Sequence, residues 1–146
     1  MAEMRIELTG WKAILAAVLF VCMFVVRVYL HVPKVPDEGR EELRTWLVKD
    51  YTGRGPKDLA QRVADYRAGK PVQPLDIPAV LPNVELVSVS AHGWRDAMVV
   101  RTEVSVDGGQ PPDGQPVRYL FLTTKFDGGW MVLSESDSYR YYRALF

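Results

Sequence analysis

The sequence predicts an α+β fold: a single N-terminal transmembrane helix, then a helical hairpin packed on an antiparallel sheet of about four strands. Three observations predict it. Residues 11–32 form one predominantly apolar run of 22 residues. Residues 37–69 carry apolar side chains at helical spacing between recognisable start and stop signals, and residues 84–136 are rich in Val with alternating faces. The layout that follows is 1–32 for a short tail and anchor, 33–36 for a stalk, and 37–146 for one soluble domain.

The anchor comes first. Fourteen residues, 13–26, carry no charge, and Lys12 and Arg27 stand at either edge with stems long enough to reach head groups. At about 1.5 Å of rise per residue the run covers a hydrocarbon core of roughly 30 Å. Trp11, Tyr29 and His31 lie near its ends, where amphipathic rings favour the interface. Trp11, Arg27 and Tyr29 are therefore the candidate membrane or partner contacts. Arg27 has two readings: it snorkels to head groups, or it pairs with a carboxylate on a neighbouring subunit's helix. A cleaved signal would show small residues at its exit, but the run leaves through Val25, Val26, Arg27, Val28, Tyr29 and Leu30, and Cys22 lacks the small residues that precede a lipid-modified cysteine. A buried core helix would show a polar face, and this stretch has none. An uncleaved anchor is preferred to both.

Sidedness is less directly encoded. Arg5 and Lys12 before the span, against Lys34, Arg40 and Arg44 after it, favour a cytoplasmic domain by charge. Arg40 and Arg44 sit among Asp37, Glu38, Glu41 and Glu42, however, and long domains translocate largely regardless of charge. An anchor behind a tail holding only Glu3, Arg5 and Glu7 commonly points its large domain outward. The expected location is thus the cell membrane with an extracytoplasmic domain, periplasmic in a bacterium.

Pro33 and Pro36 break the helix after the span. Asp37 is the expected N-cap of the next, with Glu38, Glu41 and Glu42 at its positive end. Leu43, Trp46, Leu47 and Tyr51 form its apolar stripe, and Gly53 suits the stop. Pro56 opens and Gly69 closes a second helix, whose buried side is expected to hold Leu59, Val63 and Tyr66. The link of residues 52–55 makes the pair an antiparallel hairpin. In residues 70–82, Pro71, Pro74, Pro78 and Pro82 punctuate Val72, Leu75, Ile77, Val80 and Leu81. This segment reads as an extended connector laid over the domain, or held in a partner's groove.

Strands are expected over 84–91, 97–106, 117–126 and 130–136. The third has large apolar groups on both faces, Tyr119 and Phe121 on one and Leu120, Leu122 and Phe126 on the other, so it should be central. Asp127, Gly128 and Gly129 supply a tight hairpin, and Trp130 is expected in the core. His92 precedes Gly93 in a presumed turn, and Tyr139, Tyr141, Tyr142, Leu145 and Phe146 form an aromatic tail. The order of elements, with a long strand, the Asp127-Gly128-Gly129 turn and the Trp130-Met131-Val132-Leu133 strand, resembles membrane-anchored members of the NTF2-like or cystatin-like superfamilies over residues 37 to 138. Such folds host enzymes, ligand binders and assembly modules, so the resemblance implies a fold more than a function.

Residues 33–146 carry 15 Lys plus Arg against 16 Asp plus Glu, which leaves no basic field for nucleic acid. Cys22 is the only cysteine, so neither a disulfide framework nor a cysteine-ligated metal is expected in the domain. No phosphate-cradling glycine loop, His-rich spacing or nucleophile elbow occurs, and no catalytic, cofactor or metal residues are assigned. His92 reads as a surface or capping residue, and Asp76, Asp96 and Asp113 as Asx-turn formers. Asp107-Gly108-Gly109 is followed by Gln110, Pro111 and Pro112, which do not continue a calcium loop.

Two functional readings follow. In the first the chain is a non-catalytic single-span subunit or assembly factor of a membrane complex, its domain offering a surface to other subunits. The alternative is a membrane-tethered pocket protein that binds or isomerises a small apolar ligand between hairpin and sheet. Its inner-face polar candidates are Thr102 and Tyr119, and Trp46, Tyr66 and Trp130 are further candidate pocket residues.

Overall fold

The computed structural model describes residues 10–76 and 78–146; the tail, residues 1–9, and Ile77 lie outside them. Helix α1, Trp11–Leu30, contains neither Gly nor Pro and buries none of its residues. It is long and apolar enough to cross a membrane. The His31 amide closes it by donating to the Arg27 and Val28 carbonyls, and Pro33 and Pro36 prevent its continuation.

Helix α2 is Asp37–Tyr51. Its N-cap is Pro36 rather than Asp37, because Asp37 already has helical backbone; Asp37 and Glu38 still place negative charge in the first turn. Gly39 allows a close approach to the sheet, since a Cβ there would lie 3.1 Å from a Leu122 methyl. Leu43, Trp46 and Leu47 are buried, as their spacing predicts. Helix α3, Pro56–Arg67, starts on its proline and stops as expected, with Gly69 at φ 67°. Its stripe is not buried: Leu59, Val63 and Tyr66 all face solvent. The sheet's inner face is already covered by α2, so no apolar surface remains for α3. What ties α3 to the sheet is an ion pair from Lys57 to Glu135.

The connector also departs from expectation. Expected to lie over the domain and hide its aliphatic side chains there, it leaves Val72, Leu75, Val80 and Leu81 exposed, and Arg62 ties it to α3 by donating to the Gln73 carbonyl.

Strands β1 (Val84–Trp94), β2 (Ala97–Val106), β3 (Val117–Thr124) and β4 (Trp130–Glu135) form an antiparallel meander in chain order. The inner face carries Val84, Ala91, Met98, Val100, Val104, Leu120, Leu122 and Val132, which close one core with the α2 stripe. β3 is an interior strand, as its two apolar faces predict. Phe126, expected to share a face with Leu120 and Leu122, lies past the strand end and is fully exposed. Trp130 packs at the margin of the core, half-buried.

β1 runs on through His92 and Gly93 instead of turning there. Gly93 sits opposite Met98 with φ 131°, and a Cβ on it would come 2.8 Å from the Ala97 carbonyl oxygen, so its glycine serves strand pairing. The turn is Arg95-Asp96. A last helix, α4 (Ser138–Arg143), gives the aromatic tail a conformation. Asp137 caps it by accepting from the Arg140 amide at 2.8 Å, and α4 lies on the sheet's outer face.

Candidate functional site

Arg118 occupies an inward position of β3, two residues before Leu120, and is buried. A guanidinium there is costly unless fully paired. Its Nη1 donates to Asp113 Oδ2 at 2.6 Å, and its Nη2 to Asp50 Oδ2 at 2.8 Å and to Glu135. The Trp46 and Tyr51 rings flank it, with centroids 5.9 and 5.7 Å from its central carbon. Each acid comes from a different element: Asp50 from the end of α2, Asp113 from the β2–β3 loop, and Glu135 from β4.

Burial lowers the proton affinity of Arg118, but the hydrogen bond and charge of Asp50, with the charge of Glu135, outweigh it and hold the group above its ordinary range. Burial likewise pushes the Glu135 carboxyl upward; the hydrogen bond from Lys57 and the charge of Arg118 more than offset that, and Glu135 titrates below the usual carboxylate range. Burial raises the Tyr51 phenol, a shift that Arg118 only partly counters. The cation and its acids are thus spent on one another. The arrangement is a clamp joining α2, the β2–β3 loop, β4 and, through Lys57, α3.

The second constellation is where α1 meets the sheet. His31 is buried instead of lying free at an interface. Its Nδ1 donates to the Arg27 carbonyl at 2.7 Å, its own carbonyl accepts from the Gly93 amide at 2.8 Å, and its ring meets Trp94 edge-on at 4.5 Å. Trp11, Arg27 and Tyr29 are all exposed on α1.

On the outer face, Tyr141 of α4 is buried against His92, the rings stacked at 3.9 Å, with Tyr119 at 5.6 Å. His92 Nδ1 donates to the Tyr141 carbonyl at 3.0 Å, and the Tyr141 hydroxyl pairs with Ser90 Oγ at 2.9 Å. His92 therefore holds α4 to the sheet, through a backbone carbonyl and not through a nucleophile.

The five candidate pocket residues are not brought to one cavity. Trp46, Thr102 and Trp130 lie on the inner side, Tyr119 on the outer face, and Tyr66 in solvent on α3. Thr102 is fully buried and donates to the Ser88 carbonyl at 3.0 Å, where β1 is bulged between Leu86 and Ser88. Asp113 forms its Asx turn, accepting from the Gln115 amide at 2.9 Å, and also holds Arg118. Asp107 accepts from the Asn83 amide at 2.8 Å.

The clamp is absent from the sequence reading. Its one local signal is Arg118 sharing strand parity with Leu120 and Leu122, a charge in an apolar register; its acids lie 5, 17 and 68 residues away. Compared with protein-family models, curated proteins and solved structures, the chain finds no match in any of the three.

Proposed function

We propose that the chain is a single-span, membrane-anchored subunit or assembly factor of a membrane protein complex, with its domain outside the cytoplasm and acting as an interaction surface. The observation that carries this reading is the uncovered face of α3. Leu59, Val63 and Tyr66 share that face and are 45, 51 and 77% exposed. The connector that follows adds exposed Val72, Leu75, Val80 and Leu81. Apolar side chains gathered on one exposed helix face mark an interaction site more often than singly scattered ones do. The space between α2 and the sheet is filled by Leu43, Leu47, Val100, Leu120 and Leu122, all fully buried, which weighs against a ligand pocket there.

The test is purification of the full chain in mild detergent, with and without Leu59→Ser, Val63→Ser and Tyr66→Ser combined. Stoichiometric subunits that co-purify with the unaltered chain and are lost from a normally folded triple variant support the reading. Absence of such subunits from the unaltered chain overturns it. Sidedness is read separately: Ser138→Cys, in a Cys22→Ser background, should react with an impermeant maleimide on intact cells, and reaction only after lysis places the domain inside.

A further inference from the structure

We propose that the end of the sheet beside α1 rests on the bilayer surface, with Trp94, Phe126 and Phe146 in the head-group layer and Arg95 and Lys125 on lipid phosphates. This rests on the reading of α1 as a membrane span, and adds a second, peripheral contact that orients the domain.

The meander puts the 95–96 and 125–129 turns at one end. There the Thr124 amide and the Thr123 hydroxyl both donate to the Asp96 carbonyl at 2.9 Å. α1 is attached to the same end through His31, by the Gly93 hydrogen bond and the Trp94 ring contact. It also meets Phe146, whose ring centroid is 6.1 Å from that of Phe24. Phe24 lies seven residues before His31, which is about 10 Å further along the axis. A bilayer surrounding α1 therefore meets Phe146 before it meets the rest of the domain.

The side chains suit that position. Trp94 and Phe146 are 63 and 60% exposed and Phe126 is wholly exposed, and aromatic rings favour the membrane interface. An apolar groove of about 520 Å³ opens between Trp94 and α1, lined by Leu19, Met23, Val26 and Leu30. The opposite end of the sheet, loop 107–116, carries no aromatic residue.

The end is balanced in charge, with Arg27, Lys34, Arg95 and Lys125 against Asp96 and Asp127 of the turns and Asp37 and Glu38 of α2, so the contact rests on the aromatic rings and on individual cations and not on a net positive field. The Asp127 carboxylate is engaged by the Gly129 amide at 3.0 Å. Cations at this level take lipid phosphates. Arg27, between Phe24 and His31, then lies at head-group height and needs no partner helix.

The experiment uses the full chain, Cys22→Ser, in vesicles of phosphatidylcholine and phosphatidylglycerol. An environment-sensitive fluorophore is attached after Asp127→Cys, beside Phe126; after Gln115→Cys, in the far loop; or after Val18→Cys, in the middle of α1. Blue-shifted emission and quenching by lipids spin-labelled near the head group are expected at position 127 and not at 115, with quenching by deep labels at 18. Adding Phe126→Ala and Trp94→Ala should move the emission at 127 toward that at 115. If position 18 is deep while 127 matches 115, or if 127 becomes protected only when other proteins are added, the surface contact is wrong and the anchor stands. If position 18 is not quenched, the anchor reading itself fails, and this proposal with it.

Discussion

Helices α2 and α3 carry the same kind of apolar stripe and meet different fates. In α2, Leu43, Trp46 and Leu47 disappear into the core; in α3, Leu59, Val63 and Tyr66 stay in solvent. Both helices end where local signals place them, α3 begins on its predicted proline, and α2 begins one residue ahead of its expected start. The difference lies in what each can reach. α2 has Gly39 for close approach to Leu122, and Asp50 for the buried Arg118. α3 has Lys57 on Glu135. Periodicity thus identifies which face of a helix is apolar, and leaves open whether this chain or another covers it.

The largest expected contrast is between matched truncations in the two stripes. Leu47→Ala should cost about 3 kcal/mol by opening a cavity in a filled core, whereas Val63→Ala should change stability by at most about 0.5 kcal/mol. Denaturant titration of the detergent-solubilised chain reads both, and equal losses would abolish the distinction between the helices.

Next comes the clamp that makes α2 the better-held helix. Arg118→Leu leaves Asp50, Asp113 and Glu135 facing one another without their cation. Because these acids keep some contact with water, the loss should be about 2 kcal/mol, below that of a fully buried pair. An unchanged unfolding midpoint would show that the cluster does not hold the helix.

The smallest effect is the acid response of the Lys57–Glu135 tie. Glu135 has its folded pKa below the ordinary 4.5, so its contribution is complete above that value and is lost as pH falls through the depressed folded value. Melts from about pH 6 to about pH 3 should show a decline that begins below about pH 4.5, and Glu135→Gln should flatten it. A Glu135→Gln profile parallel to that of the unaltered chain would remove this residue from the acid response.

Much of the architecture was legible because its causes are local. The uncharged run of α1, the prolines at 33 and 36, Pro56 and Gly69 around α3, the alternation of β2 and the turn at Gly128 each depend on residues within a few positions. Spacing and backbone limits act at that range. His92 shows where local reading fails: beside a glycine it resembles a turn, yet Gly93 is needed for pairing opposite Met98, and the strand continues.

The sequence by itself therefore determined the long apolar helix α1, helices α2 and α3, the four strands, and the apolar side of α2 and of β2. Only the tertiary structure decided that Arg118 is clamped by three acids, that Tyr141 seals the outer face on His92, and that α3 is left uncovered. These contacts join residues as far apart as 68 positions for Arg118 and Asp50, and 51 for Tyr141 and Ser90. A charge in an apolar register is unfavourable until such partners arrive, and no local pattern names them, because their meeting depends on how the whole sheet and α2 close on one core.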